Sequence, residues 1–254
     1  MGPIFKHILK VVNRIINPGI SEIYWLSLGE NCLPDGILKR YGLKSFSTPF
    51  SNGQSNLDYV LLLENIRYRG FLDKENLKYE QQSVKRFTRS TLTNKCDNIY
   101  VHYHMRSFGT SYFDLINSEK DRQSFERKIK RLLSLHGKGN AVFFYHHRVH
   151  NNQNLELIFE KALQYSEYYS KPSKKSHVVV FSQKIICDIS RRSLHYQKIR
   201  DNIHFFNFHT EKVWAGTDPH IFWAKPDEDL VKKMIGTTIR IIKLKEEIPD
   251  GIIQ

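Results

Sequence analysis

Short apolar runs alternate with amphipathic stretches along most of the chain. Ile23–Leu28, Ile99–Met105, Ala141–His146, His177–Phe181 and Ile203–Phe208 are rich in β-branched and aromatic residues and predict buried strands. Between them, Leu57–Ile66, Ser118–His136 and Leu155–Tyr169 carry apolar residues at helical spacing. Ser55 or Asn56 caps the first of these helices, Ser118 caps the second, and Gly137 ends it. Ser190–Arg200 reads as another helix. Asp227–Lys243 reads as a last one, weakened at Gly236-Thr237-Thr238. Residues 73–98, polar and rich in Lys, Gln and Thr, predict irregular structure. Residues 4–16 place Phe5, Ile8, Leu9, Val12, Ile15 and Ile16 on one helical side and Lys6, Lys10 and Arg14 largely on the other, with Asn17-Pro18-Gly19 as a stop.

The repeated strand–helix order predicts an α/β fold: a mainly parallel sheet with helices on both faces, three-layered and Rossmann-like or esterase-like. It predicts one α/β domain over residues 20–254, preceded by an amphipathic helix within 1–19. Such sheets bind ligands at the carboxyl ends of their strands. Gly29–Cys32, His104–Ser107, His146–Arg148, Ser182–Gln183 and His209–Thr210 fall at such ends, which predicts one shared cleft.

The first strand runs into Gly29-Glu30-Asn31-Cys32-Leu33-Pro34. Gly29 permits a sharp turn, and Pro34 suits a first helical turn. Cys32 is therefore expected at a helix N-terminus, where the dipole and unpaired N–H groups favour a thiolate and can hold an oxyanion. That makes Cys32 a candidate nucleophile, against the bland alternative of a structural cysteine. A thiol nucleophile needs a base within reach. His104 and His220 are the leading candidates, with His102 on the same strand face as His104 and Asp218 two residues before His220. Gly29 and Asn31 are candidates for oxyanion and substrate contacts, and Arg106 and Arg148 for an anionic substrate. Each of these charges and histidines, taken singly, is more commonly a solvated or structural residue. His102, His104, His146 and His147 could ligate a metal, but no supporting carboxylate spacing exists and no metal is expected.

A net charge of +13 favours anionic partners: a small molecule or glycan substrate, with acyl-CoA an eligible co-substrate and no resident cofactor. No specific nucleic-acid motif is present. Three cysteines, Cys32, Cys96 and Cys187, are odd in number and widely spaced, which argues for a reducing compartment. Lys6, His7, Lys10 and Arg14 interrupt any signal-peptide core, so the cytoplasm is expected, with residues 4–16 able to touch a membrane surface.

Ser27-Leu28-Gly29-Glu30-Asn31-Cys32 resembles the start of a bacterial family labelled putative papain-like cysteine peptidases. Gly42–Phe50, Val101–His104, Ala141–Arg148 and Trp214–Asp218 resemble later elements of that family, in the same order. The resemblance implies a cysteine hydrolase with Cys32 as nucleophile and His102 as the matching histidine. The chain departs from the family pattern at Ser51-Asn52, where Asp-Trp usually follows Pro-Phe. The alternation of elements also differs from papain's two lobes. Asp218-Pro219-His220 is loosely similar to the late Asp/His element of esterase-like α/β hydrolases, and Asn31-Cys32 is similar to the Gly-Asn-Cys stretch of capsule-biosynthesis acetyltransferases that resemble that fold, which implies acyl transfer to a glycan. The competing reading is a non-catalytic anion- or sugar-phosphate-binding protein of surface-polysaccharide biosynthesis, using the Cys32 turn as its anion site.

Overall fold

The computed structural model describes residues 23–51, 53–88, 91–104, 107–111, 113–148, 154–214 and 222–253. The helix expected over 4–16, and Arg106, Asp218 and His220, lie outside them. The elements in chain order are β1 (Tyr24–Gly29), α1 (Leu33–Arg40), β2 (Gly53–Ser55), α2 (Leu57–Asn65), β3 (Leu77–Thr88), β4 (Thr91–His104), β5 (Ser107–Ser111), α3 (Glu119–Leu133), β6 (Ala141–His146), α4 (Leu155–Tyr169), β7 (His177–Ile185), β8 (Ser193–Arg200), β9 (Ile203–Thr210), α5 (Glu228–Ile239) and β10 (Gly251–Ile252).

A six-stranded sheet in the order β1-β6-β7-β9-β8-β10 forms the centre. β1, β6, β7 and β9 run parallel, and β8 and β10 complete one edge antiparallel. Its central strands are apolar on both sides because both sides are covered. Leu26, Leu28, Phe143, Tyr145, Val178, Val180 and Phe205 pack with Leu63 of α2, Phe125 and Leu132 of α3 and Tyr165 of α4. Their alternating neighbours Trp25, Val142, Phe144, Val179, Phe181, Phe206 and Phe208 pack with Ile37 of α1 and Leu230 and Met234 of α5. This is the expected α/β arrangement, with helices on both faces of a mostly parallel sheet.

Three elements differ from the sequence-based expectation. Residues 73–98 are not irregular: they supply β3 and most of β4, a long hairpin closed at Thr88 and Thr91. Their polar sequence lacks the period-two alternation that signals a half-buried strand. Ile99–His104 of the expected Ile99–Met105 strand lie not in the parallel sheet but in β4, within a separate antiparallel sheet ordered β2-β5-β4-β3. Ser190–Arg200 is not a helix: after one short turn it becomes β8, in which Leu194 and Tyr196 are buried on one side. Asn56 caps α2 through Tyr59 N–H, and Ser118 caps α3 through Asp121 N–H, as the residue types require.

Candidate active site at the Cys32 turn

β1 ends at Gly29, whose φ of +152° only glycine adopts readily. A Cβ there would meet its nearest neighbours at ordinary contact distances of 3.5–3.6 Å, so backbone angle rather than space demands the glycine. The turn then places Asn31 to cap the helix. Its Oδ1 accepts the Leu33 N–H at 3.0 Å, which fixes the amide orientation. Cys32 is the residue before α1, and its carbonyl accepts the Gly36 N–H at 3.0 Å. The thiol is half-buried. Pro34 brings no N–H to the first turn.

The other half of the turn is built by the end of β6, paired with β1 in register Gly29 to His146. His146 Nδ1 lies 3.0 Å from Asn31 Nδ2 and 3.3 Å from Asn31 Oδ1; the shorter contact, with Oδ1 already engaged by the Leu33 N–H, assigns Nδ2 as the donor and the imidazole proton to Nε2. His146 lies against Phe181 with ring centroids 5.0 Å apart, and against Trp214 at 5.9 Å. Trp214 is anchored in turn by its indole N–H to Asp227, which Arg192 holds from the other side. Burial, reinforced by the positive charge of Arg148, pushes the His146 imidazole down to about 3. His146 is therefore neutral near pH 7, and its basic nitrogen is engaged. It positions Asn31 and does not serve as a base.

Glu30 points to the opposite side of the sheet. Its carboxylate accepts the Tyr145 hydroxyl at 2.9 Å, His147 Nδ1–H at 3.0 Å and the Arg148 backbone N–H at 2.8 Å. Burial opposes its ionisation, but the hydrogen bond and charge of His147, the Arg148 N–H and the Tyr145 hydroxyl outweigh it, so its pKa is lowered. His147 is fully buried, and its Nε2 has no hydrogen-bond partner among the described residues. The arrangement is a carboxylate orienting an imidazole whose second nitrogen is uncommitted.

A buried polar network braces the turn from beneath. Ser27 donates to Asp35 at 3.0 Å, and Asp35 also accepts Lys44 at 2.7 Å. With that proton committed, Ser51 donates to Ser27 Oγ at 2.9 Å and accepts the Thr48 N–H at 2.9 Å. Thr48 donates to the Ser27 carbonyl at 2.9 Å. The Thr48–Ser51 loop is thereby locked to β1 without a carboxylate at position 51.

Of the sequence candidates, Gly29, Asn31, Cys32 and Arg148 come together here. His102 and His104 lie on β4, in the antiparallel sheet. Strand register aligns Ser55, Gly109, His102 and Leu77 in one row. Ser55 donates to the Gly29 carbonyl at 3.1 Å, so this row begins at the Cys32 turn, with the His102 backbone two strands, about 10 Å, away. His104 pairs with Ser107 at the hairpin end. Sequence reasoning missed Glu30. The signal was present as an acidic residue inside the strand-end motif, opposite a His-His-Arg strand end. Among the described residues, no group of three or more His, Cys, Asp or Glu side chains could hold a metal, and no helix is long and apolar enough to cross a membrane.

No curated protein and no solved structure matches the chain. A family model does, over residues 23–171, a span that holds the whole Cys32 turn, both sheets' contributions to it and the β6 end. With more than half of its length matched, the chain belongs to the family described as putative papain-like cysteine peptidase (DUF1796).

Proposed function

We propose that the protein is a cysteine-dependent hydrolase of acyl bonds, with Cys32 as nucleophile and His147, oriented by Glu30, as its base. The observation that carries this reading is the Glu30–His147 pair: an ionised, partly buried carboxylate two positions before Cys32 in the sequence, holding an imidazole by Nδ1–H. In the neutral imidazole that bond leaves the lone pair on Nε2, the atom a general base needs. In the reaction, Nε2 takes the Cys32 proton. The sulfur then bonds to the acyl carbon as the carbonyl electron pair moves to oxygen. Collapse expels the amine, alcohol or thiol, which takes the proton from His147. Water deprotonated by the same imidazole hydrolyses the thioester and regenerates Cys32. Asn31 has a second amide N–H besides the one given to His146, and it suits the oxyanion.

Transfer of the acyl group to a glycan hydroxyl is the same chemistry with another acceptor. The +13 net charge favours anionic substrates such as an acyl-CoA or a charged glycan, and a reduced thiol suits the cytoplasm. The strand row from Ser55 to His102 favours His102 as the alternative base. A purely anion-binding role for the turn is less well supported. The Leu33 N–H is engaged by Asn31, Pro34 has none, and Asp35 puts an acidic residue in the first turn.

Timed iodoacetamide labelling with peptide mapping tests the reading. Cys32 is expected to react faster than Cys187 near pH 7, although Cys187 is the exposed one. His147→Gln should slow Cys32 about tenfold near pH 7 and much less near pH 9.5, where the thiol ionises unaided. Slower labelling of Cys32 than of Cys187 would sink the nucleophile. An undiminished rate in His147→Gln, with loss in His102→Gln, would move the base to β4. Hydrolysis of peptide and thioester libraries, lost in Cys32→Ser, then defines the leaving group.

A further inference from the structure

A cavity of about 570 Å³ opens at the amino ends of β7 and β9, the opposite end of the sheet from Cys32. One wall is the segment 245–249 beyond α5. The other holds His177, His204 and Tyr196. His177 lies four residues before Phe181, which pairs with His146, so the two sites are about 13 Å apart along the strand.

His177 Nδ1 is 3.1 Å from His204 Nε2, and the Tyr196 hydroxyl is 3.1 Å from His204 Nδ1. The two imidazoles are within 18° of parallel with centroids 5.3 Å apart, the separation that rings in one plane need when joined nitrogen to nitrogen. The contact is therefore a straight N–H···N hydrogen bond, not two lone pairs converging on an ion. The Tyr196 hydroxyl is assigned as the donor to His204 Nδ1, because among the described residues no other side chain accepts from it. His204 then donates from Nε2 to His177 Nδ1, and His177 carries its proton on Nε2. Burial, with the cations Lys245 and Lys174 nearby, pushes the His177 imidazole down to about 4, and burial beside His177 pushes His204 to about 3. The relay is neutral near pH 7 and ends in an N–H donor on the cavity wall.

The charges around the cavity are unevenly compensated. Lys198 pairs with Asp201 at 3.0 Å, and Glu246 pairs with Arg240 at 2.6 Å. Lys245, held at φ +59° by its backbone N–H to the Arg240 carbonyl, makes no ion pair among the described residues. Glu247 is the opposing charge on the same wall, and Ile241, Ile248 and Pro249 supply apolar surface.

We infer that this cleft is an anion-binding site for a phosphate or sulfate group, held by the His177 Nε2–H and the Lys245 ammonium, with Tyr196 and His204 fixing the His177 tautomer. The apolar wall would receive the organic part of a phosphate ester. The site stands independently of the Cys32 reading.

Histidine-selective ¹⁵N NMR of the whole protein tests it, titrated with sodium sulfate and separately with glucose 6-phosphate. A saturable shift of the His177 Nε2–H signal at millimolar ligand is expected. Lys245→Gln should weaken binding about fivefold, the loss of one charge-assisted contact, and Cys32→Ser should leave it unchanged. Tighter binding of the ester than of sulfate would point to an organic phosphate, and equal binding to a free oxyanion. Lys245 is exposed, so its replacement leaves the fold intact. No saturable shift, a His177 protonated on Nδ1, or equal affinity in Lys245→Gln would overturn the proposal.

Discussion

Glu64 gives the sharpest test of how the helical layer is held. It is 1% exposed, and its carboxylate gathers three segments. Oε1 accepts the hydroxyls of Tyr68, in the turn after α2, and Tyr169, at the end of α4. Oε2 pairs with His136 Nε2, beyond α3, at 2.9 Å. Glu64→Ala leaves two enclosed hydroxyls without an acceptor, at about 1–3 kcal/mol each. His136 is a quarter exposed and can turn to water, so its loss adds little. The total is about 4 kcal/mol, within the range for removing one partner of a buried ionic contact and a large fraction of typical domain stability. Glu64→Gln retains an acceptor for both tyrosines and should cost roughly 1–2 kcal/mol. Urea unfolding followed by circular dichroism measures both. Adding Tyr169→Phe to Glu64→Ala removes one stranded hydroxyl, so the pair should fall short of additivity by about 1 kcal/mol or more. A cost for Glu64→Ala below about 1 kcal/mol, or strict additivity with Tyr169→Phe, would refute the reasoning.

Acid should weaken the fold through histidines buried in neutral form. His146 and His204 at about 3 and His177 at about 4 lie below the ordinary 6.5, so between these values the unfolded chain binds more protons. Their contribution is whole above about pH 6.5 and falls as pH drops, by up to about 1.4 kcal/mol per unit for each. The lowered pKa of Glu30 adds loss in the same direction at still lower pH. Stability measured from pH 7 to 4.5 should show uptake of about three protons on unfolding near pH 5, and an uptake below about two contradicts the buried neutral pair and His146. Lys128 acts in the same direction, but in an alkaline window. It is 5% exposed, with its ammonium 4.1 and 4.2 Å from the Phe113 and Phe125 ring centroids, and burial, then Lys44 and Arg131, lower it to about 8. Stability should therefore rise between about pH 8 and 10.5 in the native chain but not in Lys128→Met, and equal slopes would contradict this.

The parallel core was legible because a strand covered on both sides must be apolar throughout, as in Ala141–His146 and His177–Phe181. The antiparallel sheet was not, since residues 79–98 carry no face pattern for periodicity to detect. Lys128 reads as one more surface charge of a charged helix, and it is buried between Phe125 of its own helix and Phe113 from outside it. At the site, Gly29, Asn31 and Cys32 could be read from one local motif. Glu30's role depends on His147, His146's on Asn31, and each contact spans more than a hundred residues, which no local pattern encodes.

That separation bears on how the protein is made. Asn31 meets His146 across 115 residues, and among the described strands β1 joins the six-stranded sheet only through β6. At translation rates of about 5–20 residues per second, roughly 6–23 s pass between synthesis of the Cys32 turn and arrival of its partners. Throughout that interval the nascent chain carries the thiol without the Asn31–His146 bond and the Glu30–His147 pair. Cys32 is thus exposed to oxidants and to stray electrophiles before its site exists, and recombinant yield of reactive protein should depend on the reducing capacity of the host during synthesis more than during storage.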